Sequence, residues 1–223
     1  MFTMTENKSL LARIFLMAGA LVFFITEFIT AAAWSHPAYS YTYDFISNLG
    51  VRGPSTLFGQ YMISPLSWVM NTGFITFGWL IFVGIVLLPK KQLHLRWLVI
   101  ALAAVLAVGG VLVGVFHGSG EALANGTGAY HSMGAFLAFI SGNVLFGVLG
   151  LAKVNLPVDT RTRTILKSLS VIGLLCTVLY VTTLVCSSDN HPIIIIGLIE
   201  RGAVYPMLAS SLYLGWRGLR SVA

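Results

Sequence analysis

Residues 97–116, WLVIALAAVLAVGGVLVGVF, decide the fold class, because this run contains no charged side chain. A helix needs roughly 20 apolar residues to cross the hydrocarbon core of a bilayer. The whole chain has the same character: of its 223 residues 57% are hydrophobic and only 9% are charged, and its mean hydropathy is +0.88. Ordinary soluble domains have roughly 25% charged residues. The composition therefore excludes a water-soluble globule and predicts a polytopic helical membrane protein.

Five further apolar runs resemble this one, so the sequence predicts an all-α bundle of six transmembrane helices in a single domain over residues 1–223. The first run is preceded by Lys8 and Arg13, as in a signal peptide, but it is longer than a signal sequence and contains Glu27. We therefore interpret it as a span. The six predicted spans are 10–34, 64–88, 97–116, 128–151, 165–185 and 192–216.

The basic residues predict the orientation of the bundle. Eleven of the 13 Lys and Arg residues fall on one side of the membrane in this arrangement, and only Arg52 and Arg201 fall in the other half. Since cytoplasmic loops are enriched in positive charge, both termini are predicted to be cytoplasmic. The same scattered distribution argues against nucleic-acid binding. The eleven are Lys8, Arg13, Lys90, Lys91, Arg96, Lys153, Arg161, Arg163, Lys167, Arg217 and Arg220.

Glycines recur every four residues at the end of the third span, at Gly110, Gly114 and Gly118. Small residues at this spacing let the backbone of a neighbouring helix come close. The pattern predicts a tight helix contact at this position.

The first outer connection contains the stretch DFISNLG at residues 44–50. Asp44 is a typical N-cap residue and Gly50 a typical stop, so the stretch predicts one short interfacial helix. Ser47 and Asn48 follow Asp44 at the spacing that places them on the same face. The side chains expected to enter the membrane interface are Phe45, Ile46 and Leu49.

Three charged residues, Glu27, Glu200 and Arg201, fall inside the predicted spans. At 1.5 Å per residue they lie roughly 10–13 Å below the outer boundary, and Asn71 lies at about the same level. Isolated charge is costly there, so we expect Glu27 to pair with Arg201. Glu200 is about 100° from Arg201 on the same helix and is not its expected partner. The pair either fixes the docking of two helices or lines a functional cavity.

Polar and titratable residues collect in the outer connections and favour a cationic ligand or a metal over an anion. His117 and His131 flank a short glycine-rich connection, which brings two imidazoles close together. Zinc bound by His and carboxylates, a heme held by two histidines, and ordinary interfacial histidines all remain open, because no HExxH motif is present. The cofactor is therefore unknown from the sequence. The outer residues are His36, Asp44, His117, Glu121, His131, Asp189 and His191.

Three short motifs in order, ISNLG at residues 46–50, His131 at the head of the fourth span, and GLIER at residues 197–201, resemble a bacterial and archaeal membrane protein family, domain of unknown function 998. That family is in turn distantly similar to a six-helix eukaryotic group that serves stress responses, autophagy and lipid-anchor processing. The resemblance points to Ser47, His131, Glu200 and Arg201 as site residues. Family members commonly have Asp where this sequence has Asn48. The family has no settled activity to carry over.

These observations favour a protein that handles a lipid or isoprenoid headgroup in an outer-facing polar cavity of the cell membrane, with membrane lipid as its partner. The residues expected to bind the headgroup are Glu27, Asn48, Asn71 and Arg201. The oligomeric state is not predicted.

An intramembrane hydrolase or transferase is the alternative. In that interpretation His131 or His117 acts as a base or metal ligand, and Ser47 acts as a nucleophile or positions the substrate. Asp44 and Glu200 would be the acids. An ion-coupled transporter is a third possibility, although the duplicated broken helices typical of transporters are missing from the sequence.

Overall fold

The computed structural model describes residues 4–88, 95–151, 159–186 and 194–220. Among them the fold is all-α apart from one small hairpin. Asp189 and His191, together with Lys90, Lys91 and Lys153, lie outside the described residues. The helices are α1 (Met4–Ala33), α2 (Ser67–Leu87), α3 (Arg96–Val115), the short α4 (Gly120–Ala124), α5 (Gly128–Leu151), α6 (Thr160–Cys186) and α7 (Ile196–Arg220).

Five helices in the described part of the chain are long and apolar enough to cross a membrane: α1 from Lys8 onward, α2, α3, α5 and α6. The chain is therefore a multi-pass membrane protein, as its composition predicts. Helix α7 has 25 residues, but Glu200, Arg201 and the pair Ser210 and Ser211 lower its apolar content, and it is not among the five.

The six long helices form a closed ring, because each packs against the next and α7 packs against α1. Neighbouring helices run antiparallel. Glu27 near the end of α1 meets Arg201 near the start of α7, whereas Gly215 near the end of α7 packs on Arg13 near the start of α1. Helices α5 and α7 also meet across the ring. The start of α1 and the end of α7 therefore lie at the same end of the ring.

One continuous apolar core fills the ring. Leu16, Ile81, Leu106, Phe146 and Leu208 are fully buried and come from five of the six long helices. The core separates two chemically different ends.

Cations gather at one end of the ring, which we call the basic end. Arg96 donates hydrogen bonds to the carbonyls of Val86 and Leu88 at the end of α2. Arg217 forms a 2.7 Å ion pair with Asp159, the residue before α6. The opposite end, where residues 34–66 pack over the helices, is called the loop end.

The predicted glycine contact is confirmed. A Cβ on Gly110 would lie 2.6 Å from the Phe74 carbonyl oxygen, and one on Gly114 would lie 2.7 Å from that of Asn71. Helices α2 and α3 can touch through their backbones only because these side chains are missing. Gly118 follows the helix and instead packs against the ring of His131.

The expected Asp44 cap of a short interfacial helix is wrong. The carboxylate Oδ2 of Asp44 accepts a hydrogen bond from the amide of Ser40, four residues earlier, at 2.8 Å. The next element is a single 3-10 turn, Ser47–Gly50, which has no side-chain cap. Its apolar neighbours do not enter the membrane interface either: Phe45, Ile46 and Leu49 are 6%, 2% and 0% exposed and belong to the protein core.

A hairpin that the sequence does not predict comes after this turn. Its strands are β1 (Ser55–Leu57) and β2 (Gln60–Met62), paired antiparallel. Phe58 and Gly59 connect them with φ angles of 51° and 73°. Two consecutive left-handed residues are typical of a type I′ turn, which matches the twist of the strands.

Candidate functional site at the loop end

The predicted ion pair between α1 and α7 is confirmed. Nη2 of Arg201 lies 3.0 Å from Oε1 of Glu27, and both residues are almost completely buried. Tyr205, one helical turn after Arg201, donates its hydroxyl to both carboxylate oxygens at 2.9 and 3.1 Å. The pair therefore has the extra hydrogen bonds that a buried ion pair needs to offset its desolvation.

Arg201 also holds the first connection against α7. Its Nη1 donates to the carbonyl oxygens of Tyr41, Asp44 and Gly197 at 2.8 to 3.0 Å. The guanidinium carbon lies 4.8 Å from the ring centre of Tyr41 and 5.5 Å from that of Tyr39, within the range of cation–π attraction. One side chain thus fixes a segment more than 150 residues away.

Glu200 binds the same segment through backbone amides, whereas Arg201 binds it through backbone carbonyls. Its Oε2 accepts the Ile46 amide at 2.5 Å, and the Ser47 amide is also directed at this carboxylate. Glu200 and Arg201 take separate partners, as their positions on one helix predict. Adjacent charges on α7 therefore hold the amides and the carbonyls of residues 41–47 and set the position of Ser47.

Two cavities lie next to this segment. The larger, which we call the cleft, has a volume of about 330 Å³ and lies between the 3-10 turn, the hairpin, α4, α5 and α6. The smaller, the inner cavity, has a volume of about 40 Å³ and lies inside the ring. The polar residues of the cleft are Ser47, Asn48, Ser119, His131 and Ser132. Those of the inner cavity are Ser47, His131 and Glu200.

Ser47 and His131 are shared by both cavities and therefore lie between them. Nδ1 of His131 is 2.8 Å from the Phe116 carbonyl oxygen. Since a carbonyl only accepts, Nδ1 carries the proton, and in the neutral ring the lone pair is on Nε2. The Ser47 hydroxyl makes no hydrogen bond to any residue in the described ranges. Both groups can therefore interact with a molecule in the cleft.

Asn48 lines the cleft but is held by a residue that the sequence does not point to. Its Nδ2 donates to Oε1 of Gln60 at 2.5 Å, and Nε2 of Gln60 donates to the Tyr43 carbonyl at 2.6 Å. Gln60 is 1% exposed. The hairpin thereby fixes the amide of Asn48 at the wall of the cleft.

Asp44 is buried in the first connection and lines neither cavity among the described residues. Burial raises the pKa of its carboxyl group, while the Ser40 amide and Arg201 act in the opposite direction. Tyr39 lies beside it, and burial raises the pKa of its phenol well above the usual value. The neutral Tyr39 hydroxyl accepts from Arg201 and donates to the Phe45 carbonyl. This part of the site is a scaffold for the connection.

Asn71 and His117 lie together beside the 3-10 turn. Nδ2 of Asn71 donates to the Gly50 carbonyl at 3.0 Å and lies 3.4 Å from Nε2 of His117. Within the described ranges neither lines the cleft or the inner cavity. The structure therefore brings together Ser47, Asn48 and His131 at the cleft, Glu200 below it, and Glu27 with Arg201 beside it.

The described residues contain no group of three or more His, Cys, Asp or Glu side chains that could hold a metal ion. His117 and His131 have different partners, Asn71 and Phe116. The polar groups of the cleft are hydroxyls, an amide and one imidazole, which is the chemistry of hydrogen bonding to an organic ligand.

Four residues of this site are not singled out for it by the sequence. Tyr205 has a usable signal, since it stands four residues after Arg201 on the same helix face. The alternating Tyr39 and Tyr41 are visible but suggest no role. Nothing in the sequence points to Gln60 as a site residue, because its position depends on the hairpin.

The spans and the buried polar site define the chain as a multi-pass α-helical membrane protein with a cleft at one end of its helix ring. A family model described as "Protein of unknown function (DUF998)" matches residues 17–217. The chain belongs to this family, as its motifs indicate, and the match contains every residue of the site. Comparisons with curated proteins and with solved structures gave no match.

Proposed function

We propose that this protein binds the polar headgroup region of a lipid or isoprenoid in the cleft, on the outer face of the cell membrane. In this arrangement all six long helices span the bilayer, the basic end and both termini are cytoplasmic, and the loop end faces outward. The observation that carries the proposal is the composition of the cleft, where Ser47, Asn48 and His131 stand in an otherwise mostly apolar wall.

The cleft has the size and lining of a small-molecule site. Such sites have volumes of roughly 300–1,000 Å³ and combine mostly apolar walls with a few placed polar groups. The cleft measures about 330 Å³. Its aromatic and aliphatic side chains include Phe45, Leu57, Phe58, Tyr180 and Leu184.

The position of the cleft suits an amphiphile. Tyr180 and Leu184 come from the last turns of α6, a helix whose surface is largely unburied. Ser119 and Leu123 come from the connection at the loop end. A ligand can therefore place its polar part against the connection and its hydrocarbon part along the end of α6.

The orientation is supported by the charges. Arg13, Arg96, Arg163 and Arg217 lie at the basic end, and short cytoplasmic loops are where Lys and Arg concentrate. Neighbouring helices are antiparallel, and six helices make an even number of passes. The start of α1 and the end of α7 therefore both lie at the basic end.

Native mass spectrometry of gently extracted protein tests the proposal. Ala129 lines the cleft and is exposed, so Ala129→Trp fills the cleft from its rim. Ala124 is exposed on α4 outside the cleft lining, and Ala124→Trp is the matched control. We expect a lipid-mass adduct on the wild type and on Ala124→Trp that is lost from Ala129→Trp. An adduct retained equally by both variants would place the lipid elsewhere.

A lipid hydrolase or transferase is the second candidate, and the His131 tautomer favours it. A neutral imidazole with its proton fixed on Nδ1 presents Nε2 as a general base. Ser47 lines the same two cavities and is the candidate nucleophile. A fluorophosphonate probe tests this directly: an enzyme would be labelled at Ser47 in the wild type and unlabelled in Ser47→Ala. Without labelling of the wild type, the binding function stands alone.

A further inference from the structure

Glu200 is a buried carboxylate with no cation in direct contact among the described residues, although Arg201 acts on it electrostatically from a greater distance. It is 3% exposed, and no Lys, Arg or His nitrogen in the described residues lies within 4.0 Å of it. Its partners are two backbone amides. Burying an ionised carboxylate without a directly paired cation is costly, and such a group tends to become neutral or to bind water.

The inner cavity can supply that water. A buried water needs roughly 10–15 Å³ of accessible volume and two to four polar partners. The cavity has about 40 Å³, and its polar side chains come from three different elements: Ser47 from the 3-10 turn, His131 from α5 and Glu200 from α7. The rest of its wall is apolar, so water inside it has these groups to bind.

We propose that the inner cavity holds water and that Glu200 exchanges a proton with the cleft through this water and His131. Nε2 of His131 takes up a proton from the cleft and releases it to the water, while Nδ1 keeps its proton on the Phe116 carbonyl, and the water passes a proton to the Glu200 carboxylate. The ring returns to its neutral form and the carboxylate becomes a neutral acid. This inference deepens the proposed function and rests on it in one respect, which is that the cleft opens to the outside of the membrane.

Among the described residues, the other charged and titratable groups around Glu200 do not line the inner cavity. Glu27 on α1, Arg201 on α7 and Tyr39 in the connection are tied into the ion-pair cluster. Tyr180 on α6 borders the cleft. His131 is the titratable group that borders both the cleft and the inner cavity among the described residues.

Infrared difference spectroscopy of the protein in lipid bilayers tests the proposal. The carboxylic acid band of Glu200 is identified as the band that disappears in Glu200→Gln and persists in Glu27→Gln. We expect this band to change amplitude with external pH and to shift promptly after dilution into D₂O. Val113 lines the inner cavity, so Val113→Ile displaces water from it. Val105→Ile is the matched control on the exposed face of α3.

We expect Val113→Ile and His131→Phe to slow the deuterium shift of the Glu200 band at least tenfold, with Val105→Ile unchanged. Thermal melting checks that each variant is folded. The proposal is overturned if Glu200→Gln removes no band, or if folded Val113→Ile exchanges as fast as the wild type. Lipid retention is measured on the same samples. Absence of a lipid adduct from the wild type, together with exchange that depends on Val113 and His131 as expected, would reject the binding function alone. A lipid adduct on the wild type, together with exchange that Val113→Ile does not slow, would reject the cavity route alone.

Discussion

Nη2 of Arg201 contacts Oε1 of Glu27 at 3.0 Å across 174 residues of sequence. This contact joins the first and last helices of the ring. The same guanidinium binds three backbone carbonyls, so docking of the helices and placement of the connection depend on one side chain.

Removing Arg201 should therefore be costly. Arg201→Ala leaves Glu27 buried without its cation, and breaking a buried pair in this way typically costs about 3–5 kcal/mol. Glu27→Ala should also destabilise, but the double variant should lose clearly less than the sum, because no unpaired charge remains. Thermal unfolding of the four proteins in detergent measures the coupling. Strictly additive losses would show that the pair does not stabilise the ring.

Gly173 on α6 faces Asn143 on α5 at very close range. A Cβ at Gly173 would lie 1.9 Å from Oδ1 of Asn143, whose Nδ2 is already bound to the carbonyls of Phe139 and Ala203. Gly173→Ala should cost about 1–3 kcal/mol of stability through overpacking. The control is Val171→Ala, on the exposed face of the same helix. If the control loses as much as Gly173→Ala, the close contact is not the cause.

The orientation can be tested by labelling with a membrane-impermeant thiol reagent. In a background with Cys176 and Cys186 changed to Ser, Asn125→Cys probes the loop end and Thr160→Cys the basic end; both positions are exposed. Intact cells should be labelled at position 125, and position 160 should react only after permeabilisation. The reverse pattern would turn the cleft toward the cytoplasm and reject an outer-facing site.

Asp159 should make stability depend on pH at the basic end. The nearby Thr162 hydroxyl and the hydrogen bond from the Thr162 amide, with Arg217 as a further contributor, lower the pKa of Asp159. The folded state therefore binds this proton less tightly than the unfolded chain. The stabilisation is fully present above the ordinary aspartate pKa of roughly 3.9, and it is lost as the pH falls through the lower folded value.

Asp159→Asn keeps a capping side chain but removes the charge. It should melt below the wild type at pH 7, and the two melting curves should converge at acidic pH. Other acids titrate equally in both proteins, so the difference between the curves isolates Asp159. A difference that stays constant down to about pH 3, below the ordinary aspartate pKa, would argue against a charge effect.

Five of the six predicted spans, the glycine contact and the Glu27–Arg201 pair could be predicted because each depends on local composition or on the cost of charge in a membrane. The length of each apolar run predicts a membrane-spanning helix. Two opposite charges at equal depth have little choice of partner. Neither argument needs knowledge of the rest of the fold.

The loop end could not be predicted in the same way. Asp44 has the residue type of a helix cap, but its carboxylate binds Ser40, and the backbone after it is held by Glu200. Those contacts come from α7, far along the chain. Gln60 is placed by a hairpin whose turn contains Phe58 in a left-handed conformation, which is rare for an aromatic residue. Long-range contacts therefore override the local pattern in this region.

The closure of the ring by α1 and α7 also sets an order of assembly during synthesis. The ribosome delivers residues 41–47 to the membrane before it makes the helix whose carboxylate and guanidinium hold them. Until α7 arrives, Glu27 has no guanidinium partner and Ser47 no carboxylate to fix its amide. The contacts that hold residues 41–47 and close the inner cavity are thus the last part of the site to form, and translation arrested before α7 leaves five long helices in the bilayer without a finished site.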